Sequence, residues 1–131
     1  MISGQLRPVF KLTESCNLAC KYCCQDGKLG SGYFMDQATL EKSLEAVAQN
    51  TQGPIHLLWF GGEPTLYGVK RFAKAMELVD QYFAGRTVYH GLQTNGTLIN
   101  DEWADLLAKR GFAVTVSLDG PPWLQCALGN W

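Results

Sequence analysis

Four apolar runs with strand character alternate with three helical stripes, and this order constrains the possible folds most strongly. The first run is Val9-Phe10-Lys11-Leu12. Asp36 then suits a helix N-cap, with Leu40, Leu44 and Val47 recurring at helical spacing. Gly53-Pro54 resets the chain before the run 55–60, whose unbroken apolar character predicts a strand buried on both faces. Phe72, Met76, Val79 and Phe83 form the stripe of a second helix from Val69 to about Phe83, with Gly85 placed to end it. Residues 87–94 follow as a strand interrupted at Gly91. A third helix starts near Asn100, where Asp101 and Glu102 complement its positive end, and Trp103, Leu106 and Leu107 share a face. Gly111 closes that helix, and the fourth strand covers 112–118. Strands alternating with helices read as βα units with parallel strands and right-handed crossovers, hence an α/β fold.

In such folds chemistry collects beyond the carboxyl ends of the strands. Every distinctive motif falls there. Cys16-Asn17-Leu18-Ala19-Cys20-Lys21-Tyr22-Cys23 follows the first strand, and Gly61-Gly62-Glu63-Pro64 follows the second. Gln93-Thr94-Asn95-Gly96-Thr97 ends the third, and Ser117-Leu118-Asp119-Gly120-Pro121 ends the fourth. Each alone reads as an ordinary turn. Their common rim makes them candidates for one site. Three thiolates on one loop can hold three irons of a four-iron cluster, whereas full protein ligation usually takes four cysteines. Cys24 follows at once, but adjacent residues do not easily point into one cubane. Short cysteine runs also bind zinc, and a closed zinc site needs a fourth ligand. The remaining candidates, Cys24, His56, His90 and Cys126, form no paired motif. Two glycines without Cβ atoms let backbone approach a ligand closely. His56 and His90 lie inside strands and read as satisfied core or rim histidines.

At 131 residues the chain suits one domain, and 47% hydrophobic with 18% charged content is that of a soluble globular protein. A net charge of −1 gives no electrostatic reason to expect nucleic acid or an anionic membrane as partner. There is no apolar run of membrane-spanning length. The first seven residues lack the apolar core of a signal peptide. Four of five cysteines crowd between positions 16 and 24, an arrangement of thiols kept reduced in a cytoplasm rather than a disulfide framework.

The four motifs resemble the radical S-adenosylmethionine (radical SAM) superfamily, whose signature is CxxxCx(aromatic)C with Tyr22 in the aromatic position. The runs GGEP, QTNGT and S(I/L)DGP resemble its anaerobic sulfatase-maturase and SPASM peptide-modifying branch. The resemblance implies a [4Fe-4S] cluster on Cys16, Cys20 and Cys23, with one iron left for SAM. It implies that Gly61-Gly62 backbone binds the amino group of SAM, with Glu63 in the acidic position and Pro64 completing the motif. Ser117 would bond the SAM carboxylate, Gln93, Asn95 and Asp119 would line the cofactor or substrate cavity, and Tyr22 would pack beside cluster and adenine. The implied function is cleavage of S-adenosyl-L-methionine to a 5′-deoxyadenosyl radical that modifies a protein or peptide side chain. The implied electron donor is a flavodoxin or ferredoxin.

The chain also departs from that pattern. Radical SAM cores usually have six βα units, so four strands imply a partial (β/α) barrel. Residues 1–121 read as the amino-terminal part of such a core. Residues 122–131 carry no charge and no helical stripe, and read as an atypical tail left by truncation or a frameshift. No carboxy-terminal cysteines for auxiliary clusters occur. Cys24 stands where relatives commonly carry an aromatic residue. A non-catalytic iron–sulfur- or zinc-binding remnant therefore stands as the alternative reading.

Overall fold

The computed structural model describes residues 6–23 and 32–128. Four parallel strands, β1 (Val9–Thr13), β2 (Ile55–Gly61), β3 (Val88–Thr94) and β4 (Ala113–Val116), form one sheet in sequence order. The connecting helices are α1 (Gln37–Asn50), α2 (Val69–Tyr82) and α3 (Asp101–Lys109), with a 3-10 turn at Pro64–Tyr67. The expected α/β partial barrel with four strands is what the chain forms. Asp36 caps α1 by accepting from the Thr39 amide at 2.7 Å, and Asn100 caps α3 through Trp103 at 3.0 Å.

The core lies entirely between the sheet and its helices. Phe10, Leu12, Leu57, Trp59 and Leu92 of the strands pack against Leu40, Leu44, Phe72, Met76, Val79, Trp103 and Leu107 of the helices. Trp59 is its centre. Its ring lies 5.1 Å from Phe10 and 5.4 Å from Phe72, which in turn sits 5.2 Å from Trp103.

Two expectations need correction. β2 is not buried on both faces: Leu58 and Phe60 are 39% and 40% exposed, while Leu57 and Trp59 are fully buried. The apolar residues of the outward-alternating set line the concave face of an open barrel, which the four strands leave uncovered. Gly91 does not interrupt β3, which pairs with both neighbours through it. Its missing side chain leaves room for Leu58, whose Cδ2 lies 2.7 Å from where a Cβ would stand. Pro122–Ala127 forms a short helix, α4, whose first-turn proline needs no amide donor. Its end meets the cysteine loop, where the Lys21 amide donates to Leu128 at 2.9 Å and the Lys21 ammonium to Ala127 at 2.6 Å. No helix among the described residues is long and apolar enough to cross a membrane.

His90 belongs to the core, as expected. Its Nδ1 accepts from Trp59 Nε1 at 3.2 Å, and its ring stacks on Phe112 at 4.6 Å. Burial pushes its pKa from 6.5 down to about 4, with Arg110 adding in the same direction and Asp80 opposing. Because the folded value lies below the unfolded one, unfolding takes up a proton between those pH values. Stability is therefore full above about pH 6.5 and falls as pH drops towards 4. Urea unfolding across that window will show this slope in the wild-type chain, and His90→Phe will flatten it while lowering the plateau. An equal slope in His90→Phe would assign the loss to other groups.

Candidate cofactor site at the strand ends

The cysteine loop springs from a tightly fixed root. Thr13 and Ser15 are buried at 0% and 1% exposure. The Gly62 amide donates to Thr13 O at 2.9 Å and the Glu63 amide to Ser15 O at 2.8 Å. On the other side the Glu14 amide donates to Tyr33 O at 3.0 Å, and the Gly32 amide to Ser15 Oγ at 2.8 Å. These bonds carry the β1–β2 pairing beyond the regular ladder and aim the following residues over the rim.

This contact explains the glycine pair. A Cβ on Gly62 would stand 2.1 Å from Ser15 O, and one on Gly61 2.3 Å from Thr13 O. Gly61 also has φ +148°, a conformation that other residues rarely adopt. The close approach demanded by the pair is thus made to the chain's own backbone, although both glycines also line the cavity described below.

Glu63 is fully buried. Its Oε1 accepts from the Thr65 amide at 3.0 Å, Thr65 Oγ1 at 2.5 Å and Thr94 Oγ1 at 2.7 Å, and its Oε2 from the Asn95 amide at 2.6 Å. Those donors occupy the carboxyl group within the protein. It starts the 3-10 turn and fastens the β2 loop to the end of β3. Pro64, also buried, is the first residue of that turn.

Above this base lies a cavity of about 290 Å³ to which the ends of all four strands contribute. The loop supplies Cys16, Cys20, Tyr22 and Cys23, with Glu14 and Leu18 beside them. Phe60, Gly61 and Gly62 come from β2, Gln93, Thr94 and Asn95 from β3, and Ser117 from the residue after β4. The Gln93 amide nitrogen donates to Ser117 Oγ at 3.2 Å. Cys16, Cys20 and Cys23 are free thiols of intermediate exposure. Burial pushes the Cys20 thiol pKa up, and the nearby Cys16 and Cys23 sulfurs and Asp119 add to the rise. Among the described residues, no three His, Cys, Asp or Glu side chains converge closely enough to hold a single metal ion.

Nine of the twelve expected site residues line this cavity: Cys16, Tyr22, Cys20, Cys23, Gly61, Gly62, Gln93, Asn95 and Ser117. Glu63 and Pro64 lie beneath it. Asp119 stands at its margin, accepting a hydrogen bond from the Tyr22 hydroxyl and so joining the cysteine loop to the chain after β4. Cys24 lies outside the described residues. Sequence reasoning missed Glu14, Leu18, Phe60 and Thr94. Strict alternation along β2 places Phe60 on the same face as Leu58, and Thr94 lies within the Gln93–Thr97 run.

The sequence model of the radical SAM superfamily matches residues 10–124. The chain belongs to that superfamily. It is 41% identical over 115 residues to the serine-type anaerobic sulfatase-maturating enzyme of Klebsiella aerogenes, covering 85% of this chain and 28% of the relative. It is 37% identical over 115 residues to the cysteine-type enzyme of Clostridium perfringens, covering 83% and 31%. A solved structure, native anSMEcpe with bound AdoMet and Cp18Cys peptide, superposes with a TM-score of 0.81 at 34% identity, covering 97% of this chain and 34% of that one. The chain thus spans about a third or less of the length of these relatives.

A side chain at Gly62 must displace the root of the cysteine loop. Gly62→Ala will cost about 2–4 kcal/mol in urea unfolding and speed amide exchange at residues 13–15. Gly53→Ala, with φ +69° and open space around it, will cost only about 1–2 kcal/mol. Equal costs at the two positions would contradict the crossing.

Proposed function

We propose that the rim cavity holds a [4Fe-4S] cluster on Cys16, Cys20 and Cys23 and S-adenosyl-L-methionine beside it, for radical modification of a protein or peptide side chain. The observation that carries this reading is that three thiols of one loop share a single cavity with the glycine pair and the ends of all four strands. The donor set fits. Three soft thiol ligands suit iron–sulfur chemistry. The three sulfurs lie near enough to influence one another's charge. When bound, the pair supplies one-electron cleavage of a carbon–sulfur bond of the sulfonium, giving methionine and a 5′-deoxyadenosyl radical able to take hydrogen from an unactivated carbon.

The chain's own residues bind, orient and enclose. Gly61 and Gly62 expose backbone to the cavity. Ser117 and Gln93, already bonded to each other, present a hydroxyl and an amide to the polar end of SAM. Tyr22 offers its ring to the adenine. Glu63 acts from below by fixing the β2 loop and Asn95 relative to one another. Asp119 acts through its bond to Tyr22. The relatives' names and the peptide in the superposed structure support a serine- or cysteine-containing peptide as substrate. A flavodoxin or ferredoxin in a reducing cytoplasm would supply the electron.

Anaerobic reconstitution with iron and sulfide will load the chain with a four-iron cluster. Cys16→Ala, Cys20→Ala or Cys23→Ala will each abolish it, and Cys24→Ala will retain it. Tight zinc with no cluster would contradict the reading. Ser117→Ala will weaken SAM binding to the reconstituted chain roughly two- to tenfold, as loss of one hydrogen bond does. Unchanged affinity would remove Ser117 from the cofactor site.

A further inference from the structure

The three cysteines are not equivalent. The Cys16 sulfur accepts from the Leu18 amide at 3.4 Å and from Asn95 Nδ2 at 3.8 Å. The second donor comes from a different strand end, and it is held there by a closed ring of side chains. Asn95 Nδ2 donates to Asn17 Oδ1 at 2.9 Å, Asn17 Nδ2 donates to Thr97 Oγ1 at 2.8 Å, and Thr97 Oγ1 donates to Asn95 Oδ1 at 2.8 Å. All three donors run in the same direction, so each bond polarises the next.

The orientation of the Asn95 amide follows from its neighbours. The Thr97 backbone N–H, which can only donate, faces Asn95 Oδ1 at 3.0 Å. The oxygen must therefore point to Thr97, which leaves both amide hydrogens for Asn17 and Cys16. The backbone of Asn95 is pinned as well, since its amide donates to buried Glu63 at 2.6 Å. A side chain fixed at both backbone and amide costs little to order around a ligand.

We propose that Asn95 is a positioning residue for the cluster. Its amide, locked by the Asn17–Thr97 ring, donates to the Cys16 sulfur and makes the cluster easier to reduce. This rests on the cluster reading above. Hydrogen bonds to cluster sulfurs withdraw electron density and raise the reduction potential. Without this donor the Cys16 sulfur is more electron-rich and the cluster harder to reduce.

The test is a redox titration of the anaerobically reconstituted chain, followed by the electron paramagnetic resonance (EPR) signal of the reduced cluster. Asn95→Ala will assemble the cluster with a more negative midpoint. At the wild-type midpoint its reduced-to-oxidised ratio will be about three- to tenfold lower, where tenfold is about 59 mV for a one-electron couple. Thr97→Val, which breaks the ring but keeps the donor, will shift the ratio in the same direction by less. Thr97→Ser, which keeps the hydroxyl, will match wild type. Wild-type chain carrying ¹⁵N only in asparagine side chains will show a ¹⁵N hyperfine coupling to the reduced cluster, a readout independent of how the variants fold. An intact cluster whose midpoint ignores Asn95→Ala, or a missing ¹⁵N coupling, overturns the inference alone. A wild-type chain that forms no cluster overturns the cofactor reading and this inference with it.

Discussion

Everything at the rim depends on one backbone crossing, where residues 13–15 pass against Gly62 with no room for a side chain. A parallel β1–β2 ladder would ordinarily end at Thr13. Here it continues as the bonds Gly62 N to Thr13 O and Glu63 N to Ser15 O, so the residue before Cys16 is fixed as firmly as a strand interior. Buried backbone groups that are all paired leave the segment little freedom. The loop that follows can then carry half-buried thiols at defined positions. Glu63 extends the same constraint sideways. Its carboxyl group gathers donors from the 3-10 turn and from the end of β3, so hydrogen bonds join the first three strand ends.

The two faces of the sheet divide the work. The face under the helices is packed with Trp59, Phe72 and Trp103 and holds a neutral His90 in their midst. Burial of this kind stabilises by about 25 cal/mol per Å² of apolar surface removed from water and needs no ligand. The concave face keeps Leu58 and Phe60 partly exposed. It offers apolar surface leading up to the cavity, and the thiols, amides and hydroxyl stand at its top. The scaffold is thus satisfied on one side and open on the side where chemistry is proposed.

Much of this was legible in the sequence. Apolar periodicity and caps such as Asp36 and Asn100 mark α1 to α3 because those signals are local. The coincidence of four motifs with four strand ends located the cavity, since parallel βα order puts every such loop on one rim. What the sequence hid were long-range matters. An acidic residue beside two glycines looks like a ligand contact, and only the positions of Thr65, Thr94 and Asn95 show that Glu63 is consumed inside the protein. The glycine pair signals a close approach, but the residues alone do not show that its tightest neighbours are Thr13 and Ser15. β2 looked buried on both faces because a barrel's concave side is apolar whether or not it is covered. Asn17 and Thr97 gave no separate signal, because their pairing spans 80 residues of sequence.

The central claim is that Cys16, Cys20 and Cys23 would hold the cluster and that SAM would bind to it at Gly61, Gly62 and Ser117. The most direct measurement is the EPR spectrum of the reduced, reconstituted chain before and after adding SAM. If SAM binds to the cluster, its addition will change the g-values, and SAM carrying ¹⁷O in the carboxylate or ¹⁵N in the amino group will show hyperfine coupling to the cluster. A cluster spectrum indifferent to SAM at saturating concentration, with no coupling from either label, would contradict the claim.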